Sequence, residues 1–255
     1  MNRIIKIILL DILKNKIVLA YTLILAALSW SSFALEDNSA KGFLTILNVI
    51  LFTVPLVSIL FATIYLYNSS EFIELLLSQP IKRRKIWTSL FLGLSLSMVL
   101  AFVVGAGIPL LINAPDSVGL MMIVIGSLIS VIFVALAFLS SILTRDKAKG
   151  IGIAIMTWLF FALLFDGIVL FLLFQLADYP IEHTMVAMTA LSPIDLARIQ
   201  ILMHLDVSAM MGYTGAIFQD FFGTAVGLIV SFLLLCLWAM VPFFISLKKF
   251  NKKDL

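Results

Sequence analysis

Six separate runs of predominantly apolar residues dominate this chain, and each reaches the roughly 20 residues that a helix needs to cross a bilayer. They cover about 17–35, 43–67, 88–112, 119–143, 151–174 and 220–247. Hydrophobic residues make up 63% of the chain and charged residues 12%, against roughly 45–50% and 25% in ordinary soluble domains. A soluble core could not hide this much apolar surface, and a mean hydropathy of +1.19 fits lipid as the solvent. The expected fold is all-α: one polytopic membrane domain over 1–255, with six transmembrane helices. Pro55, Pro109 and Pro242 fall within or at the ends of spans, where neighbouring helices tolerate a kink. Asp166 is the only ionisable side chain well inside a run.

Charge sets the expected orientation. Segments 1–16, 68–87, 144–150 and 248–255 carry 15 of the 17 Lys and Arg residues, whereas the alternate connections carry only Lys41 and Arg198. Basic loops face the cytoplasm, so both termini are expected there, in the cell inner membrane. The same clustering assigns the high pI to anionic headgroups rather than to nucleic acid. The connection 175–219 is then a long outer loop. The tyrosines Tyr65 and Tyr67, and Trp87, stand where headgroups should lie.

The first sixteen residues differ from the spans. Arg3, Lys6 and Lys14 cluster on one side of a helical wheel, while Ile4, Ile5, Ile8, Leu9 and Ile12 occupy another arc. This predicts a basic amphipathic helix lying in the inner interface. The scattered charges and the lack of a small-residue cleavage site argue against a cleavable signal peptide.

Chemistry of the catalytic kind is missing from the sequence. It has no phosphate-cradling GxxxxGK[ST], no HExxH and no GxSxG. Cys236 is the single cysteine, which rules out an intrachain disulfide. The chain is therefore expected to bind no cofactor of its own and to be no enzyme.

Three segments carry the candidate functional residues. In NSSEFIELLLSQPIKRRKIW, residues 68–87, Glu71, Phe72, Glu74 and Leu75 fall on a short amphipathic helix that Ser78-Gln79-Pro80 stops. It is either a charged turn or an exposed element that docks on another protein. In Leu191–Ile199, Ser192 caps a helix, Pro193 suits its first position and Asp195 its positive end. Arg198 stands three residues on and can pair with Asp195. Met203, Met210 and Leu196 lie near one apolar face, as in a helix resting on the membrane. Asp166, about fifteen residues into the fifth run, lies roughly 22 Å deep at 1.5 Å per residue. It reads either as a translocation-path group or as an acid held by Gln175 or a serine. Met98 and Met156 read as gap-filling core residues.

Glu71–Arg84, EFIELLLSQPIKRR, resembles the E…LLSxPxxR signature that follows the second span in type-2 ABC exporter permeases. Leu191–Ile199, LSPIDLARI, is similar to the NPx(D/E)xxR element before their last span, with Ser192 in place of Asn. Six spans, the amphipathic start and the long last outer segment extend the resemblance over essentially the whole chain. It implies a homodimeric permease driven by ATP through a separate cytoplasmic ABC ATPase subunit. Glu71, Phe72, Glu74, Leu75, Arg145 and Lys147 would couple to that ATPase, and Ser192, Pro193, Asp195 and Arg198 would dock an outer partner. The wording is most similar to the permeases of nitrous oxide reductase maturation, which implies a periplasmic accessory protein and a role in supplying a copper enzyme. Other members export ions or peptides.

Two further classes stay open on the residues alone, a secondary transporter and a structural anchor. The outer loop also holds both histidines and five of the eleven methionines. Thioether and imidazole groups favour Cu(I), so His183, Met185 and Met188 form either a transient copper site or part of a docking surface.

Overall fold

The structure, a computed structural model, describes residues 2–35, 39–113, 115–175, 182–204 and 224–252. Among these residues every regular element is helical. Six helices are long and apolar enough to cross a membrane: Lys16–Ala34, Lys41–Asn68, Arg83–Asn113, Ser117–Leu143, Lys147–Leu172 and Val226–Lys252.

Helix α1 (Asn2–Leu13) stands apart from the first span, α2 (Lys16–Ala34), because Asn15 caps the latter by accepting a bond from the Ile17 amide at 2.9 Å. Ile4, Ile5, Ile8, Leu9 and Ile12 turn inward, with Ile8 and Ile12 fully buried, while Lys6, Asp11 and Lys14 are exposed. That inward face is the apolar arc read from the sequence. It seats on α5 (Arg83–Phe102) at Gly93, where a Cβ would stand 2.7 Å from Ile8 Cγ2. A residue without a side chain lets the two backbones close up.

Helix α3 (Ser39–Asn68) runs straight into the short α4 (Ser70–Leu77). Beyond α5 a π-turn (Val103–Gly107) leads into α6 (Ile108–Asn113). The central helix is α7 (Ser117–Leu143), with 61% of its apolar window buried against α3, α5 and the last helix, α12 (Ala225–Lys252). An aromatic column fastens this centre: Trp87 stacks on Phe250 at 4.2 Å and meets Phe138 edge-on at 4.8 Å, and Phe91 stacks on Phe243 at 4.2 Å. Trp87 Nε1 also donates to Ser246 Oγ at 3.1 Å, so the column carries its own polar tie.

The fifth span is α8 (Lys147–Leu159), a second π-turn (Phe160–Leu164) and α9 (Phe165–Gln175). Trp158 of α8 donates to the Phe52 carbonyl at 3.2 Å, next to the Leu51 carbonyl that Pro55 leaves without a helical N–H donor. Only 17% of this span's apolar window is buried, against 28% for α2 and 22% for α12. Met98 lies fully buried in the core as expected, but Met156 is 67% exposed on the open face of α8.

Two short helices follow, α10 (Glu182–Ala190) and α11 (Pro193–His204). The sequence suggested that α11 rests on the membrane through Leu196 and Met203. Instead α11 is inserted between α3, α7 and α12, with Ile194, Leu196, Ala197 and Ile201 all at most 1% exposed. Nine of its twelve residues are buried, the polar Asp195 and Gln200 among them, which makes it an interior helix. Met210, the third member of that expected face, lies outside the described residues.

Candidate functional site

Two polar constellations lie at opposite ends of the bundle. The first sits at the end that carries α1 and the C-terminal turns of α12. Helix α4 buries Ile73 and Leu76 and exposes Glu71, Glu74 and Leu75, the last by 66%; Phe72 is half-buried. Glu74 and Arg145 line the same cleft of about 350 Å³, with Tyr67, Thr144, Trp87 and Phe250 among its walls. The two candidate coupling segments, distant in sequence, therefore form one surface.

What joins them is a contact that sequence reasoning missed. The Tyr67 hydroxyl lies 2.6 Å from Thr144 Oγ1 and 3.2 Å from the Thr144 carbonyl oxygen. Lys147 Nζ donates to Asn68 Oδ1 at 2.8 Å, a second tie across the same gap. Asp146 caps α8 by accepting from the Ala148 and Lys149 amides at 2.7 and 3.2 Å. Gly150 lies under the Tyr67 ring, and a Cβ there would collide with the hydroxyl. Tyr67 reads in the sequence as an interfacial aromatic. Its one further signal is a glycine in the first turn of the following inner helix.

The second constellation joins α9 to α11. Arg198 Nη1 lies 3.2 Å from Asp166 Oδ2 and 3.3 Å from Asp195 Oδ1. The residue read as a translocation candidate and those read as a docking element are thus one cluster. Asp166 is held by Arg198 rather than by Gln175 or a serine. Its direction follows from the π-turn just before it: one extra residue turns everything after it by about 100° around the helix axis. Within α11 the expected cap is present, the Asp195 amide donating to Ser192 Oγ at 3.2 Å with Pro193 at the first helical position.

Two carboxylates share one guanidinium here. Burial, and then the hydrogen bond with Asp166, push the Asp195 carboxyl up to about 7. Asp195 Oδ2 and Arg198 Nε are buried without a hydrogen-bond partner among the described residues. Arg198 also reaches a cavity of about 390 Å³ beside α3, lined by Asn48, Phe52, Thr53, Ala162 and Ile194.

Of the copper candidates, Met185 is 5% exposed and packed in the core, and Met188 is half-buried. The side chain of His183 lies outside the described residues. No group of three His, Cys, Asp or Glu side chains gathers at metal-binding distance among those described.

Comparison with known proteins covers both ends of this arrangement. The family model described as ABC-2 family transporter protein matches residues 4–255. The probable ABC transporter permease protein NosY of Pseudomonas aeruginosa is 28% identical over 225 residues, covering 79% of this chain and 81% of that one. The family match runs from α1 through the α4 cleft and the Arg198 cluster to the last helix, nearly the whole fold, and this chain belongs to the ABC-2 family, as a membrane-embedded permease subunit of an ABC transporter.

Proposed function

We propose that this permease works as a homodimer, with ATP hydrolysed by a separate subunit that docks on α4 and the 144–147 turn. The observation that carries this is the shared cleft of Glu74 and Arg145, tied together by Tyr67 and Thr144. An exposed helix with two acids and an outward leucine, backed by a hydrogen-bonded strut, passes a push from outside into α3 and α8 together. The 15:2 division of basic residues supports placing this end in the cytoplasm and the Arg198 cluster near the outer face of the inner membrane. The sparsely covered faces of α2, α8 with α9, and α12 support a second copy beside the first.

The finer reading is a NosY-like role beside a periplasmic accessory protein, in maturation of a copper enzyme such as nitrous oxide reductase. Its support is the motif wording and the 28% identity. Direct Cu(I) contact by His183, Met185 and Met188 rests on ligand softness. A Cu(I) titration against a competing chelator, on wild type and the triple alanine variant, tests it. Equal weak binding by both removes copper and leaves an outer docking segment.

The coupling claim is tested by Glu74→Lys. Loss of a close charge pair at an interface costs on the order of 2–5 kcal/mol, so the variant should lose the co-purified ATPase or its permease-dependent rate. Unchanged complex yield and unchanged rate would reduce α4 to a connecting turn.

A further inference from the structure

The final turns of α12 carry Ile245, Lys248, Lys249 and Lys252 at positions i, i+3, i+4 and i+7, which is one face of the helix. That face cannot turn away, because Phe250 and Ser246 on the other side are held by the stacked ring and the indole N–H of Trp87. Ile245 and the three lysines face Ile142, in the last turn of α7, across a cleft of about 570 Å³. No carboxylate among the described residues pairs with these lysines. The ion pairs of Arg198 with Asp166 and Asp195 lie at the far end of the bundle.

Like charges at i+3 and i+4 repel one another, so the face is unfavourable without a counter-charge. A favourable helix C-terminus accounts for cations in the last turn. It does not account for a cleft whose other walls are isoleucines. From Ile245 toward the membrane interior the strip continues through exposed Leu237, Val241 and Phe244. Seven residues separate Ile245 from Lys252, about 10 Å along the axis, which is a headgroup's depth above an acyl track.

We infer that the cleft between α7 and α12 is a binding site for one anionic phospholipid. Lys248, Lys249 and Lys252 hold the phosphate, and Ile142, Ile245 and Val241 lie along an acyl chain. Basic pockets between spans on the side of the negatively charged leaflet have this chemistry. The inference rests on the proposed cytoplasmic placement only for which leaflet supplies the lipid.

Delipidated permease in neutral detergent, titrated with phosphatidylglycerol or phosphatidylcholine and read by native mass spectrometry, tests it. Wild type should retain phosphatidylglycerol preferentially. The triple variant Lys248→Gln, Lys249→Gln, Lys252→Gln should lose affinity by about ten-fold or more. A charge-matched control, Lys82→Gln, Arg84→Gln, Lys85→Gln, should keep it. Equal retention by both variants, equal loss in both, or equal binding of phosphatidylcholine overturns the site. Competition by inorganic phosphate at similar concentration makes it a free-anion site and overturns the lipid. Lower ATPase co-purification with unchanged lipid retention assigns the face to the partner subunit and overturns it too. A photoactivatable phosphatidylglycerol on wild type keeps the question open to refutation if the variant misfolds: cross-links should map to 142 and 241–252, and cross-links elsewhere reject the site. These measurements are made in detergent, so a reversed topology would leave them unchanged.

Discussion

Arg198 Nη1 and Asp166 Oδ2 lie 3.2 Å apart although 32 positions separate them in the chain, and this pair ties the inserted helix α11 to the fifth span. Because Asp195 shares the same guanidinium, the cluster has an unequal response to charge removal. Arg198→Gln leaves two carboxylates facing each other, whereas Asp166→Asn leaves one carboxylate for one cation. Removing one partner of a fully buried pair costs about 3–5 kcal/mol. With 32% of the Arg198 side chain and 41% of the Asp166 side chain exposed, screening should bring the Arg198→Gln cost to roughly 1–2 kcal/mol. Asp166→Asn should cost less. Melting midpoints in detergent decide the order, and an Asp166→Asn variant less stable than Arg198→Gln would contradict it.

The same cluster sets a pH dependence. Asp195 is raised from its usual 3.8 to about 7, by burial first. Between those values the folded chain holds a proton that the unfolded chain has released. Stability therefore declines as pH rises across this window, and the contribution levels off above pH 7. Thermal midpoints of wild type should fall from pH 5 to pH 7.5 more steeply than those of Asp195→Asn. Parallel curves would show that Asp195 does not titrate in this range.

At the opposite end, Gly150 and Tyr67 should be energetically coupled. A Cβ at 150 meets the Tyr67 hydroxyl, and overpacking of this kind typically costs about 1–3 kcal/mol. Gly150→Ala should lower stability and weaken the permease-dependent ATPase rate. In a Tyr67→Ala background the same substitution should do much less. A double-mutant cycle measures the difference, and additive effects would mean the two residues act independently.

Topology is open to direct labelling. In a Cys236→Ala background, a cysteine at exposed Ser78 should resist an impermeant thiol reagent in intact cells. One at exposed Leu191 should react. The reverse pattern would invert the orientation and move the ATPase surface to the other end.

Much of this protein is decided by its sequence alone. Span number follows from runs of apolar residues too long to leave lipid, and the amphipathic face of α1 from its spacing. The Ser192–Asp195–Arg198 cap is legible because its members lie within two turns of one another. Each is a local property, set by desolvation and helical periodicity over neighbouring residues. Tertiary structure decided the rest. Asp166 meets Arg198 only because a π-turn shifts the phase of α9. Tyr67 finds Thr144 only because α3 and α7 end side by side, and Met156 stays uncovered because nothing among the described residues packs over that face of α8. Such pairings depend on how each helix is rotated and how deeply it sits against its neighbours. In lipid, where polar and apolar faces of a span differ little in sequence, packing sets that rotation.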